Sequence, residues 1–257
     1  VSERNGRKYF SISEIKSALQ CGAQHHFRYT LRIRKPSPAA VAKGIAYDRA
    51  LQVLYEARMA GEEPALEDAF DAVDAYWSDP GEIDWQDEDP EAARNEVREA
   101  VQLYYAEVWP SIRPVAVQDR FEIEFEDTDW TFLGFMDLVT EDGVVVDNKL
   151  LGRTPAQDDV DRDLQLTAYA LGYQQKYGRL PESLRLDCVI KTKTPKVVQL
   201  ETKRTEDDLQ RFLAVLGQAV RMIDSGIVVP RPGGWYCSPT ACQYWRECHQ
   251  MFGGVAV

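Results

Sequence analysis

Two hydrophobic periods divide the chain, and the sharpest change between them falls near its middle. Phe132 to Val139 is an almost wholly apolar run, and Val144 to Val146 is another. Both are short and rich in β-forming residues, which predicts buried strands. Glu141-Asp142-Gly143 lies between them, and an Asp-Gly pair between apolar runs predicts a hairpin turn. From Leu164 the period lengthens. Leu166, Tyr169, Ala170 and Tyr173 recur at i, i+3, i+4 and i+7, one face of an amphipathic helix.

The rest of the chain reads in the same way. Ser11-Ile12-Ser13-Glu14 has the form of a capping box, Ser with Glu three residues on, and predicts a helix through Leu19 that stops at Cys21-Gly22. A long helix is predicted from Gly44 to Ala60, with Tyr47, Leu51, Leu54 and Tyr55 on one side. Leu66, Phe70, Val73 and Trp77 mark a weaker helix, followed by a turn-rich patch from Ser78 to Pro90. Glu96 to Trp109 is predicted helical up to Pro110. From Arg120 to Glu126, Phe121, Ile123 and Phe125 alternate with three glutamates, a strand with one polar face. Thr128-Asp129 then turns into the strand that carries Asp137. Two further strands are predicted over 184–190 and 197–200, and Cys188 falls among core residues by alternation. Thr205 to Asp224 reads as a helix closed by Ser225-Gly226.

Composition changes this picture in few places. No run of about eighteen apolar residues exists in the 257-residue chain, so no segment is predicted to span a bilayer. Val1 to Lys8 is polar and charged and shows no secretory pattern, which predicts a cytoplasmic protein. The net charge of -12 runs against a protein that grips phosphates, but its distribution is uneven. Gly61 to Glu99 holds fifteen acidic residues against two arginines, and the remainder balances to +1. That region reads as a surface excursion with a solvated face. Positive charge and rings interleave at His25, His26, Phe27, Arg28, Tyr29, Arg32, Arg34 and Lys35, as a single-stranded nucleic-acid track requires. An ordinary surface loop would look the same. Lys191, Lys193 and Lys196 gather at the tip of the last predicted hairpin, to meet either a DNA backbone or solvent.

Chemistry enters with the central hairpin. A turn centred on Asp142 sets Asp137 opposite Asp147, and directly opposed residues have Cβ atoms about 4.5 to 5.5 Å apart. Two carboxylates that close repel each other unless a cation lies between them. Lys149, two residues past Asp147, shares its face. An acidic pair with an ammonium beside it suits metal-assisted phosphodiester hydrolysis with Mg²⁺ or Mn²⁺. The bland alternative is three strand-edge residues facing solvent.

G-F-M-D at 134–137, V-V-D-N-K at 145–149 and Q-L-T-A-Y at 165–169 resemble, in order and spacing, the successive motifs of the RecB-like branch of the PD-(D/E)XK nucleases. The resemblance implies that Asp137 and Asp147 are metal ligands, that Lys149 is the catalytic lysine, and that Gln165 and Tyr169 support the site and the DNA strand. It further implies a DNA exonuclease acting on single strands or duplex ends. A DNA-binding or adaptor module that keeps the fold without cleaving is the alternative. Where that family usually has G-x-x-x-H with a metal-ligating histidine, this chain has Gly44-Ile45-Ala46-Tyr47-Asp48. Asp48 lies on the packed line through Gly44, Leu51 and Tyr55, so it is either a third ligand for a hard cation or the partner of a nearby arginine.

Three cysteines, Cys237, Cys242 and Cys248, close the chain with x4 and x5 spacing, and Cys21 is the other candidate for a set of four. Four thiolates hold zinc or an iron-sulfur cluster. One early cysteine plus three late ones resembles the iron-sulfur branch of RecB-like nucleases, with its AddB-type, CRISPR-adaptation and phage members. It implies a [4Fe-4S] cluster that ties the chain ends together, with zinc as the alternative. The expected architecture is one α/β domain over 1–257: a helical region over 1–115 with the acidic excursion over 61–99, a core over 116–226 built on a central mixed sheet flanked by helices, and a cysteine-bearing tail over 227–257 packed back on the N-terminal helical region.

Overall fold

A computed structural model describes residues 2–4, 7–125 and 129–253. Glu126 and Thr128, expected at the end of one strand and in the turn to the next, lie outside the described residues. Contacts divide the chain into two compact units, Val1–Lys35 with Glu122–Gly134 and Glu206–Val257, and Pro36–Phe121 with Phe135–Thr205.

The second unit carries the hairpin. Strand Trp130–Thr140 ends in it and pairs antiparallel with Val144–Leu151, which pairs in parallel with Ser183–Ile190, itself antiparallel to Lys196–Thr202. The mixed α/β sheet is therefore as expected. Strand Pro114–Glu124 begins six residues earlier than the glutamate alternation suggested, because its early residues carry no hydrophobic period. Val145 and Val146 are fully buried, since both faces of the sheet are covered. Helix Ala39–Met59 starts at a Pro38 N-cap rather than at Gly44.

The acidic stretch is not a surface excursion. Helix Leu66–Ser78 buries Ala69, Val73 and Tyr76, and helix Pro90–Glu107 buries Val97, Ala100, Val101 and Tyr104, in one core with Tyr47, Leu51, Leu54, Leu138 and Val146. Most of the charges occupy the outer faces. Two of them reach inward, where Glu88 and Glu96 hold the buried ammonium of Lys43 at 2.6 and 3.5 Å.

In the first unit, strand Arg7–Phe10 pairs in parallel with the start of Trp130–Thr140. Phe10 meets Trp130 edge-on and packs at a tilt against Phe132, and Phe132 meets Phe212 of helix Glu206–Asp224 edge-on. Ser11 caps helix Ile12–Gln20 by accepting from Glu14 N, but the Glu14 carboxylate is buried and paired with His25 Nε2 at 3.2 Å. The expected capping box is thus only half formed. The basic and aromatic stretch is no plain loop: Gly22–His25 is α-helical and His26–Thr30 is a π-helical turn. Phe27 is buried against Tyr244, while Arg28 and Arg34 are exposed and Lys35 is paired with Glu247. No helix among the described residues is long and apolar enough to cross a membrane.

Candidate active site and thiol cavity

The hairpin sets the two carboxylates against each other. Leu138 faces Val146 and Val139 faces Val145, and one more step of that register brings Asp137 opposite Asp147. Gly143 makes the turn possible with a φ of +79°, a conformation that costs a side chain-bearing residue far more. Two buried carboxyls this close favour the protonated form of one of them. Burial, opposed by Lys149 and reinforced by Asp137, pushes Asp147 up to about 8. Burial also raises Asp137.

Lys149 Nζ donates to Asp147 Oδ1 at 2.7 Å, and the lysine side chain is 36% exposed where Asp147 is 2%. The pair therefore meets solvent at its ammonium. Burial works against that ammonium, but Asp147, Asp137 and Asp48 outweigh it and hold the group above the usual lysine value.

Helix Leu164–Tyr177 completes the site. Asp163 caps it by accepting from Gln165 N and Leu166 N, and Gly172 lets it settle on Phe121, where a Cβ would lie 2.4 Å from the ring. Gln165 and Tyr169 stand one turn apart on its buried side. Gln165 Nε2 donates to Asp147 Oδ1 at 3.2 Å and to the Tyr169 hydroxyl at 2.8 Å, and that hydroxyl donates to Asp137 Oδ1 at 2.9 Å. One circuit of hydrogen bonds thus joins both acids, the lysine and the helix.

Asp48, on helix Ala39–Met59, has no arginine salt bridge among the described contacts. Burial raises it, with Lys149 opposing, Asp147 reinforcing and Arg49 the smallest influence. It therefore senses the site. Among the described residues no group of three or more His, Cys, Asp or Glu is arranged to hold a metal ion. The opposed pair nevertheless fits Mg²⁺ or Mn²⁺, since a small hard cation keeps several waters and needs only one or two carboxylates. Burial raises both carboxyls, a cost that a bound cation would relieve.

Sequence reasoning missed what lies around this circuit. Lys149 is in register with Cys188, a buried thiol that burial and then Asp147 and Asp187 push up to about 12. Asn148, between Asp147 and Lys149, faces the other way and accepts from the Tyr55 hydroxyl, which is 2.7 Å from that of Tyr104. Asp187 is fully buried, held by Arg185 Nε at 2.7 Å and Gln199 Nε2 at 3.1 Å. Arg185 stands two residues earlier on the same strand face, which was the legible signal. Lys191, one of the expected tip cations, is engaged by Glu96 at 2.9 Å.

The four other cysteines all belong to the first unit. Cys21, Cys237, Cys242 and Cys248 are free thiols lining one cavity of about 130 Å³. Burial and then the neighbouring thiols raise Cys248, and burial and the same neighbours, against a backbone hydrogen bond, raise Cys242. Helix Trp245–Phe252 is short and amphipathic, yet buries no residue. Its Trp245, Cys248, His249 and Phe252, spaced i, i+3, i+4 and i+7, line the cavity. The tail is anchored beside it: Tyr244 stacks on Phe27 and donates to Ile33 O, and Lys35 contacts Glu247 at 2.5 Å. Four thiols around one space are the ligand type that both zinc and iron-sulfur clusters take.

A hairpin-borne pair of acids with a lysine on the same strand, braced from a helix on a mixed sheet, defines the restriction-endonuclease-like class of fold. The family model described as the PD-(D/E)XK nuclease superfamily matches residues 9–249, and the chain belongs to that superfamily. Among solved structures it is similar to a "Putative exonuclease" from Eubacterium rectale, at 15% identity and a TM-score of 0.60, covering 96% of this chain and 94% of that one. At that identity the likeness shows the fold. The crystal structure of SSO0001 matches at 12% identity and a TM-score of 0.39, covering 92% and 94% of the two chains, too loosely to support an argument. No curated protein matches in sequence.

Proposed function

We propose that this nuclease hydrolyses DNA phosphodiester bonds from strand ends, with Asp137 and Asp147 holding Mg²⁺ or Mn²⁺. The observation that carries the reading is the hydrogen-bonded circuit of Asp137, Asp147, Lys149, Gln165 and Tyr169. The chemistry a bound divalent ion supplies is polarisation of the phosphoryl group and acidification of a water. Lys149 presents a permanent positive charge at the solvent edge of the pair, to orient the attacking water and to steady negative charge developing on phosphorus oxygens. Tyr169 and Gln165 fix the carboxylates in place, because a group that must not reorganise during reaction is worth more than a mobile one. Asp48 would be the third carboxylate to hold the ion, its carboxyl already under the charges of Lys149 and Asp147.

The thiol cavity is read as a [4Fe-4S] site. By the same measure of space, one water takes roughly 10–15 Å³, so a cavity of about 130 Å³ is roomy for a lone ion. Zinc, which draws its thiolates to about 2.3 Å from one point, is the alternative occupant of the same four cysteines. Coordination would staple the two ends of the first unit, and the free thiols suit the reducing cytoplasm.

End-labelled linear DNA and covalently closed circles, incubated with Mn²⁺ or Mg²⁺, test the reading. Cleavage of linear DNA alone, lost in Asp147→Ala and Lys149→Ala, is expected. Cleavage that persists in both variants overturns the site. DNA binding without cleavage in any metal would leave an adaptor module.

A further inference from the structure

Among the polar side chains lining the cavity of the four cysteines, His249 presents a ring nitrogen that the thiols do not account for. His249 directly follows Cys248 and faces the same space. Its ring is only partly covered, but Nε2 is out of solvent and has no hydrogen-bond partner. The ring is held in that position. Trp245, one helical turn earlier, lies 4.5 Å away centroid to centroid at 48°, and the His249 backbone carbonyl accepts from Gly253 N at the end of the helix. A buried imidazole nitrogen is normally paired, and one that is not points to a partner outside the chain's own atoms. The cavity it lines is the one the thiols surround.

We propose that His249 is a positioning residue for the thiol-bound group, its Nε2–H donating to a sulfur of an iron-sulfur cluster and setting that cluster's reduction potential. The inference rests on the [4Fe-4S] reading of the cavity. Hydrogen bonds to cluster or ligand sulfurs draw off negative charge, and more is gained in the reduced, more negative state, so each donor raises the potential. His249 is well suited to this role and poorly suited to being a fifth ligand, since the four thiolates already complete a cubane. Trp245 and Phe252 line the same cavity from the same helix face.

The test is a dithionite potentiometric titration, followed by electron paramagnetic resonance, on anaerobically purified full-length protein. Wild type is compared with His249→Leu and His249→Gln, with iron and acid-labile sulfide measured on each. A shift to more negative potential is expected in His249→Leu with four irons retained. His249→Gln, which keeps an N–H, should return most of the way to the wild-type value. An unchanged potential in His249→Leu overturns the donor role while leaving the cluster intact. Loss of iron from both variants overturns it also, by making His249 a structural requirement. Wild-type protein that carries zinc, or neither iron nor sulfide, sinks the cluster reading itself, and is told apart by metal content before any variant is made.

Discussion

The Tyr169 hydroxyl donates to Asp137 Oδ1 at 2.9 Å, and accepts in turn from Gln165 Nε2, which also donates to Asp147. A helix thereby holds both members of an acidic pair that would separate if left alone. Tyr169 is buried, and burial, Asp137 and Asp147 together hold its phenol well above the usual value, so it remains a donor at any working pH. Tyr169→Phe removes that donor and changes little else in shape. The expected outcome is a 10- to 100-fold loss of nuclease activity, about the range for residues that orient metal ligands, with the melting temperature nearly unchanged. Gln165→Ala should cost a similar amount, and the double variant less than the product of the two, because they act through one circuit. Steady-state cleavage rates at saturating Mn²⁺ decide it.

Metal binding and protons compete at Asp147. Its pKa of about 8 lies above the ordinary aspartate value of about 3.9, so the metal-free folded state holds a proton the unfolded chain has lost. Between about pH 4 and pH 8 the folded state binds more protons than the unfolded, and metal-free stability falls as pH rises through that window. A divalent cation replaces the proton. Mn²⁺ affinity should therefore increase from pH 6.5 toward pH 8 and then level off, with close to one proton released at pH 6.5 and progressively fewer above about pH 8. Calorimetry in buffers of different ionisation enthalpy measures that release, and Asp147→Asn should abolish it.

The thiols fall into two populations. Cys188 is fully buried with its pKa pushed up to about 12, and a thiolate is required for reaction with a disulfide reagent. In native, metal-free protein at pH 8, four cysteines should react and Cys188 should not, becoming reactive only on unfolding. Mass spectrometry of the labelled peptides identifies which. In protein carrying the proposed cluster, the other four should be protected as well.

The site was legible where its geometry is local. A two-residue period and an Asp-Gly turn suffice to oppose Asp137 and Asp147, and the helical period places Gln165 beside Tyr169. Asp48 was legible as an inward carboxylate, since its helix line is fixed by Leu51 and Tyr55. Misreadings arose where charge hid packing. Leu66–Ser78 and Pro90–Glu107 carry their acids outward and bury Ala, Val and Tyr, so counting charge described the outer faces only. Glu14 looked like the second half of a capping box because the box is a sequence pattern, whereas His25 lies 11 residues away and joins it only through the fold. The cavity's histidine was equally silent, since a side chain that lacks a protein partner leaves no spacing to read.

Two ion pairs of the same chemistry should behave oppositely. Arg185 holds Asp187 with both Nε and an Nη nitrogen, at 2.7 and 3.1 Å, and the aspartate is fully buried. Lys203 and Glu182 lie 3.3 Å apart with both side chains mostly exposed. An exposed pair gains little beyond its screening and entropy losses, so Lys203→Met should change stability by less than about 1 kcal/mol. Arg185→Met instead strands a carboxylate among Tyr47, Tyr104 and Cys188, whose own pKa values already register its charge. The expected loss is about 3–5 kcal/mol. Replacing both partners, as Arg185→Met with Asp187→Leu, removes the buried charge along with its partner and should recover much of that loss. Urea unfolding of the three variants measures all of this. A double variant no better than Arg185→Met alone would mean that Gln199, which also donates to Asp187 at 3.1 Å, and the packing of the strand matter more than the charge.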